Sequence, residues 1–191
     1  MQGRSLLEIF ARELDAAEST ACSAGARVAG RTDFTRGDRR NREVRLLGAD
    51  EVEIGLTQST ASASSPLLVA GRELTEIVNI LWLVESVAEA VAAVPELEVY
   101  SEQSLEAWPP AHEFLGLPDP APAIGMAILG EPGALLVRLQ LLQVTGQSLE
   151  VDASWPIRPG VFAVGCEGAV SVPTGVERAG GVRLEIWPRR G

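Results

Sequence analysis

Groups that move protons, hold metal ions or attack carbon are few in this chain, and their spacing is unhelpful. The single histidine, His112, lies in EAWPPAHEF (residues 106–114), between a Trp-Pro-Pro run and a Glu-Phe pair. Histidine is the side chain most often used to exchange protons near neutral pH, but this Pro-rich setting reads as a loop. A zinc site needs at least three converging His, Cys or carboxylate ligands. With Cys22 and Cys166 far apart in sequence, the expectation is no metal and no cofactor, and both cysteines read as buried thiols of a reducing compartment. HEFLG lacks the second histidine of the H-E-x-x-H helix.

Nucleophile and phosphate motifs fare no better. No G-x-S-x-G is present, and GQSLE (146–150) lacks the second glycine. GARVAGRT (25–32) has the spacing of a phosphate-binding loop with Arg31 in place of lysine. Such a loop joins a strand to a helix so that backbone amides point at the anion; here the preceding residues read as helix and the following ones as polar loop. Glu150 with Asp152 and Glu85 with Glu89 read as hydrated surface rather than an acid–base pair, which needs one carboxyl in a dry cleft. RGD at 36–38 is a coincidence of three residues.

The charge map is polarised. All 16 basic residues are arginine, against 26 acids, for a net charge of −10. Arg27, Arg31, Arg36, Arg39, Arg40, Arg42 and Arg45 fall together with only Asp33, Asp38 and Glu43 among them. Asymmetry of this kind marks an arm that seeks an anionic surface. Arg31, Arg36, Arg39, Arg40 and Arg42 are the candidate partner-binding residues, in a segment (31–42) expected to be mobile that overlaps a polar loop from Gly25 to Asn41. Nucleic acid is the weaker choice of partner, because the remaining negative charge repels phosphate.

The elements follow from periodicity. Leu6, Leu7, Phe10, Leu14 and Ala17 at helical spacing predict an N-terminal amphipathic helix over 5–21. EVRLL (43–47) and EVEIGLT (51–57) predict a hairpin, and PLLVAG (66–71) a third strand. ELTEIVNILWLVESVAEAVAAV (73–94), free of Gly and Pro and stopped by Pro95, reads as one long buried helix. A short strand is expected near Leu97–Tyr100. Five of the 12 prolines fall within 108–123, where neither helix nor inner strand is compatible. From Ile124 onward short apolar runs alternate with turn signals and predict an antiparallel β meander. No internal sequence repeat is visible.

The expected fold is therefore α+β: N-terminal amphipathic helix, short strands, one long buried helix and a C-terminal antiparallel meander. It divides into a helix-bearing part (1–107), a Pro-rich linker or loop (108–123) and a β part (124–191), or forms a single domain. No stretch reaches the roughly 20 apolar residues of a membrane span, and the N-terminus lacks a secretory core, so a cytoplasmic protein of bacterial type is expected. Hydrophobic content of 46% beside absent motif chemistry points away from an enzyme and toward an interaction protein: a subunit, adaptor, chaperone or immunity-type inhibitor that binds a protein partner or itself. The alternative is a small-molecule-binding protein or enzyme, with an apolar pocket between the meander and the long helix lined by Trp82, Trp155 and Trp187.

Overall fold

The computed structural model describes residues 5–48, 52–60, 67–92, 94–105, 113–116 and 122–146, and the backbone of 161–166, 177–179 and 182–188. Strand dominates. The N-terminal residues run as β1 (Ser5–Ala11), and helix begins only with α1 (Leu14–Ser23). The arginine-rich stretch is not a loop but a hairpin of β2 (Arg27–Arg36) and β3 (Arg39–Leu47), and β3 continues into β4 (Glu53–Ser59). Residues expected to form the long helix are β5 (Leu74–Leu83) followed by the short α2 (Val87–Ala92). Then come β6 (Glu98–Leu105), β7 (Ile124–Gly130) and β8 (Arg138–Val144). The α+β expectation is thus corrected to a mostly β architecture with short helices.

The physical reason for the long-helix error is burial on both faces. A central strand covered on each side carries an unbroken apolar run that periodicity cannot separate from a buried helix. In β5, Val78, Ile80, Leu81, Trp82 and Leu83 are all buried, and its β-branched content of Thr75, Ile77, Val78 and Ile80 suits a pleated strand. The predicted 43–57 hairpin is present, with Glu43 opposite Thr57 and Leu47 opposite Glu53. The expected strand at 66–71 is not, because residues 67–71 form turns.

Eight strands form one curled sheet in the order β2-β3-β4-β1-β5-β8-β7-β6. β1 runs parallel to β4 and β5 parallel to β8, while β1 and β5 meet antiparallel at the centre. The chain is thus two successive βαβββ modules side by side, a backbone repeat that the sequence does not display. Residues 106–112 and 117–121 fall between β6 and β7, which pair with each other in this sheet. A separate three-stranded sheet contains β9 (Val161–Cys166), β10 (Glu177–Ala179) and β11 (Val182–Pro188), with β11 antiparallel to β10 but parallel to β9. A purely antiparallel C-terminal meander is therefore also corrected.

Both helices lie on one face of the large sheet. Leu14 of α1 packs with Ala11, Val44, Leu46 and Leu56; Val87 and Ala90 of α2 pack with Ile80, Trp82, Ala127, Leu129 and Leu141. Leu7 and Ile9, alternate residues of β1, join these two clusters, so alternation sends Leu6, Glu8 and Phe10 to the opposite, concave face.

Candidate functional site

On the concave face the central strands carry polar groups where strands of this burial usually carry apolar ones. Glu8 of β1 stands directly opposite Asn79 of β5. The Asn79 Nδ2 donates to Glu8 Oε2, and the Thr57 hydroxyl of β4 donates to Glu8 Oε1 at 3.3 Å. Arg138 of β8, paired in register with Asn79, donates from Nε to Asn79 Oδ1 at 3.1 Å. Four strands from both modules thus meet in one hydrogen-bonded chain, Thr57–Glu8–Asn79–Arg138. The β1–β5 ladder shifts register immediately after the Glu8–Asn79 pair, a bulge of the kind that re-aims side chains beside a site.

Glu43 of β3 shares this face, because it lies opposite Thr57 in register. Its carboxyl has no hydrogen-bond partner among the described residues. Burial, reinforced by the negative charge of Glu8, pushes it up to about 8. Glu8 is raised as well: burial outweighs the hydrogen bonds from Asn79 and Thr57 and the charge of Arg138. Thr32 of β2, opposite Glu43, is buried with no partner for its hydroxyl among the described residues.

The two ends of the concave face differ. Toward the start of β1, Leu6, Leu81, Leu83, Ile124, Leu142 and Val144 form an apolar cluster closed by Phe114 and Leu115. The turn carrying Phe114 sits so close to β2 that a side chain on Gly30 would come 2.7 Å from the carbonyl oxygens of Glu113 and Phe114. Beyond this plug lies the polar end with Glu8, Asn79 and Arg138. Arg36, at the tip of the β2–β3 hairpin, donates to the Gln103 side chain of β6, which ties the two outermost strands together.

The arginines singled out from sequence are mostly occupied internally. Arg31 pairs with Glu18 and Arg42 with Asp15, both acids of α1, and Arg40 pairs with Asp33 across the hairpin. These ion pairs hold Asp15 and Asp33 below the usual carboxylate range. Mobility of this stretch is thus corrected to a hairpin whose two-residue turn places Gly37 at φ +62°, the geometry primed turns require. Arg39 is exposed beside that turn. Gly25–Thr32 runs into a strand rather than a helix, so no phosphate loop forms.

Trp82 faces the helices, not the concavity, at 4% exposure. Trp187 lies on β11; Trp155, His112 and the predicted strand around 148–155 lie outside the described residues. Cys22 is exposed on α1 rather than buried. Sequence reasoning missed Glu8, Glu43, Asn79 and Arg138 altogether. The available signal was a charged or amide residue inside an apolar strand run, as in LLEIF and IVNIL, once those runs are read with period two.

Among the described residues no group of three His, Cys, Asp or Glu side chains is placed to hold a metal ion. Glu8 is committed to Asn79 and Thr57, and the Arg138 guanidinium close by would repel a second cation, so this donor set does not fit a divalent ion. No helix among the described residues is long and apolar enough to cross a membrane.

No protein-family model matches the sequence, and no curated protein does. Solved structures do. A variant of glyoxalase I from Zea mays matches at TM-score 0.53 and 10% identity over 77% of this chain and 44% of that one. Methylmalonyl-CoA epimerase from Mycobacterium tuberculosis matches at 0.51 and 14% over 75% and 88%. Unsubstituted maize glyoxalase I matches at 0.51 and 10% over 78% and 44%, so the chain spans less than half the length of the maize enzyme. The expectation of a non-enzymatic interaction protein is corrected by these likenesses; the small-molecule alternative suits them, with the concavity replacing a pocket against a long helix. The chain has the curled βαβββ-repeat fold seen in glyoxalase I and methylmalonyl-CoA epimerase.

Proposed function

We propose that the concave face binds a small molecule and exchanges a proton with it, Glu43 acting as the acid or base. The observation that carries this reading is the convergence of two carboxyls, an amide and a guanidinium on one concave face. A group with its pKa near the working pH is the most effective proton carrier, and burial has brought Glu43 there. Glu8, bonded to Asn79 and Thr57, is the fixed partner whose charge tunes it. Asn79 and Arg138 are positioned donors for negative charge that develops on a ligand oxygen. The fold of an epimerase and a glyoxalase agrees with small-molecule chemistry in this concavity.

The test is a screen of small carbonyl compounds in D2O by proton NMR. Loss of a C–H signal adjacent to a carbonyl, dependent on the wild-type chain and slowed roughly 100-fold or more in Glu43→Gln, is the expected result. Exchange that survives unchanged in Glu43→Gln would remove Glu43 from the role. Binding with no exchange across the screen would leave a binding protein without turnover.

A further inference from the structure

Two arginines of the concave face, Arg45 and Arg36, already have side-chain partners. Arg45 pairs with Glu53 at 3.2 Å and donates to the Ala29 carbonyl, and Arg36 is joined to Gln103. Arg138 uses Nε alone, on Asn79; its two Nη groups have no hydrogen-bond partner among the described residues, although the side chain is half-buried. Its position is nevertheless fixed. The guanidinium carbon lies 5.9 Å from the centre of the Tyr100 ring, within cation–π range. Tyr100 is held by its hydroxyl on the Glu131 carbonyl. Gly130 makes room for both, since a Cβ there would come within 3.0 Å of Arg138 Cγ and 3.2 Å of Tyr100 Cε2.

We propose, building on the small-molecule reading above, that the site takes a small monoanionic carboxylate on the Nη edge of Arg138, so that the chain's own guanidinium supplies the positive charge and no metal ion is needed for binding. A planar fork with two parallel N–H donors matches a carboxylate bidentately. Charge count selects the monoanion. Glu8 lies beside Arg138 through their shared partner Asn79, so a dianion such as phosphate would meet a carboxyl that one guanidinium cannot also offset.

The experiment titrates the full chain, labelled with ¹⁵N-arginine, while the Arg138 Nε–Hε resonance is followed. The probes are butyrate and hexanoate, their neutral counterparts butyramide and hexanamide, and inorganic phosphate, first in EDTA and then with excess Mg²⁺, Mn²⁺ or Zn²⁺. Carboxylates should bind and shift Arg138, amides should bind roughly tenfold or more weakly, phosphate should not bind, and metal ions should change nothing. Arg138→Gln should weaken carboxylate binding roughly tenfold or more and leave the amide affinities in place; Arg138→Lys should fall between. The spectrum of each variant reports its folding. Equal affinity for carboxylate and amide, an unaffected Arg138→Gln, dependence on added metal, or no binding by either series overturns the inference. If amides bind and carboxylates do not, only the anion preference fails and the concave small-molecule site stands; the deuterium-exchange screen fails or succeeds independently of both.

Discussion

Replacing Glu43 by Gln keeps the shape of the side chain and removes its titration, which gives a direct stability test. In the folded chain the carboxyl is pushed up to about 8 from an ordinary 4.5 by burial and by Glu8. Below pH 4.5 folded and unfolded chains both hold the proton, so the group is neutral to stability. Between 4.5 and about 8 the folded chain holds it and the unfolded chain has lost it, so stability falls as pH rises and levels off above 8. At about 1.4 kcal/mol per pH unit, that interval gives a ceiling of about 5 kcal/mol, reduced wherever cavity water reaches the carboxyl. Roughly half of that ceiling is still well resolved by urea unfolding followed by circular dichroism. Glu8 is the charged group whose field raises Glu43, Glu113 lines the same cavity and Arg45 follows on the same face of β3, so Glu8→Gln serves as the parallel control. Wild type should lose stability from pH 5 to 9, and Glu43→Gln should lose distinctly less and be the more stable protein at pH 9. Superimposable pH profiles for the two proteins would refute a half-buried, proton-holding Glu43.

Gly30→Ala puts a methyl group 2.7 Å from two backbone oxygens of the Phe114 turn; the turn must move, and increased protease cleavage near residues 113–116 with little loss of global stability is the expected outcome. Leu46→Ala empties a site that is 1% exposed beneath α1 and should cost about 2–5 kcal/mol in urea unfolding.

Short alternating strands were legible from sequence wherever one face is wet. In β3 and β4, Val44, Leu46, Ile54 and Leu56 alternate with polar residues, and the predicted hairpin is there. The two central strands were not legible, because apolar residues cover both faces and the alternation is erased. The arginine-rich stretch failed for the opposite reason. Its outer strand β2 is the sheet edge, and toward the hairpin tip both strands carry polar side chains on both faces, with acids of α1 holding Arg31 and Arg42. The local signal for the hairpin is Arg36-Gly37-Asp38-Arg39, a Gly-Asp pair between two strand-length runs. The site was illegible because its members come from β1, β3, β4, β5 and β8, and only the register of a folded sheet makes them neighbours.

The pairing of Glu8 with Asn79 falls on the line where the two modules meet, at equivalent positions of their first strands. If two identical modules assembled there as separate chains, any residue at that position would face its own copy. Two glutamates would repel, and two asparagines would offer no acid. Joining the modules in one polypeptide removes that constraint, so a carboxylate can stand on one side of the axis and its amide donor on the other. A scaffold that is nearly symmetric in backbone thereby holds a site with a direction: acids gathered on the first module, amide and cation on the second, and a bound molecule with one way round to lie.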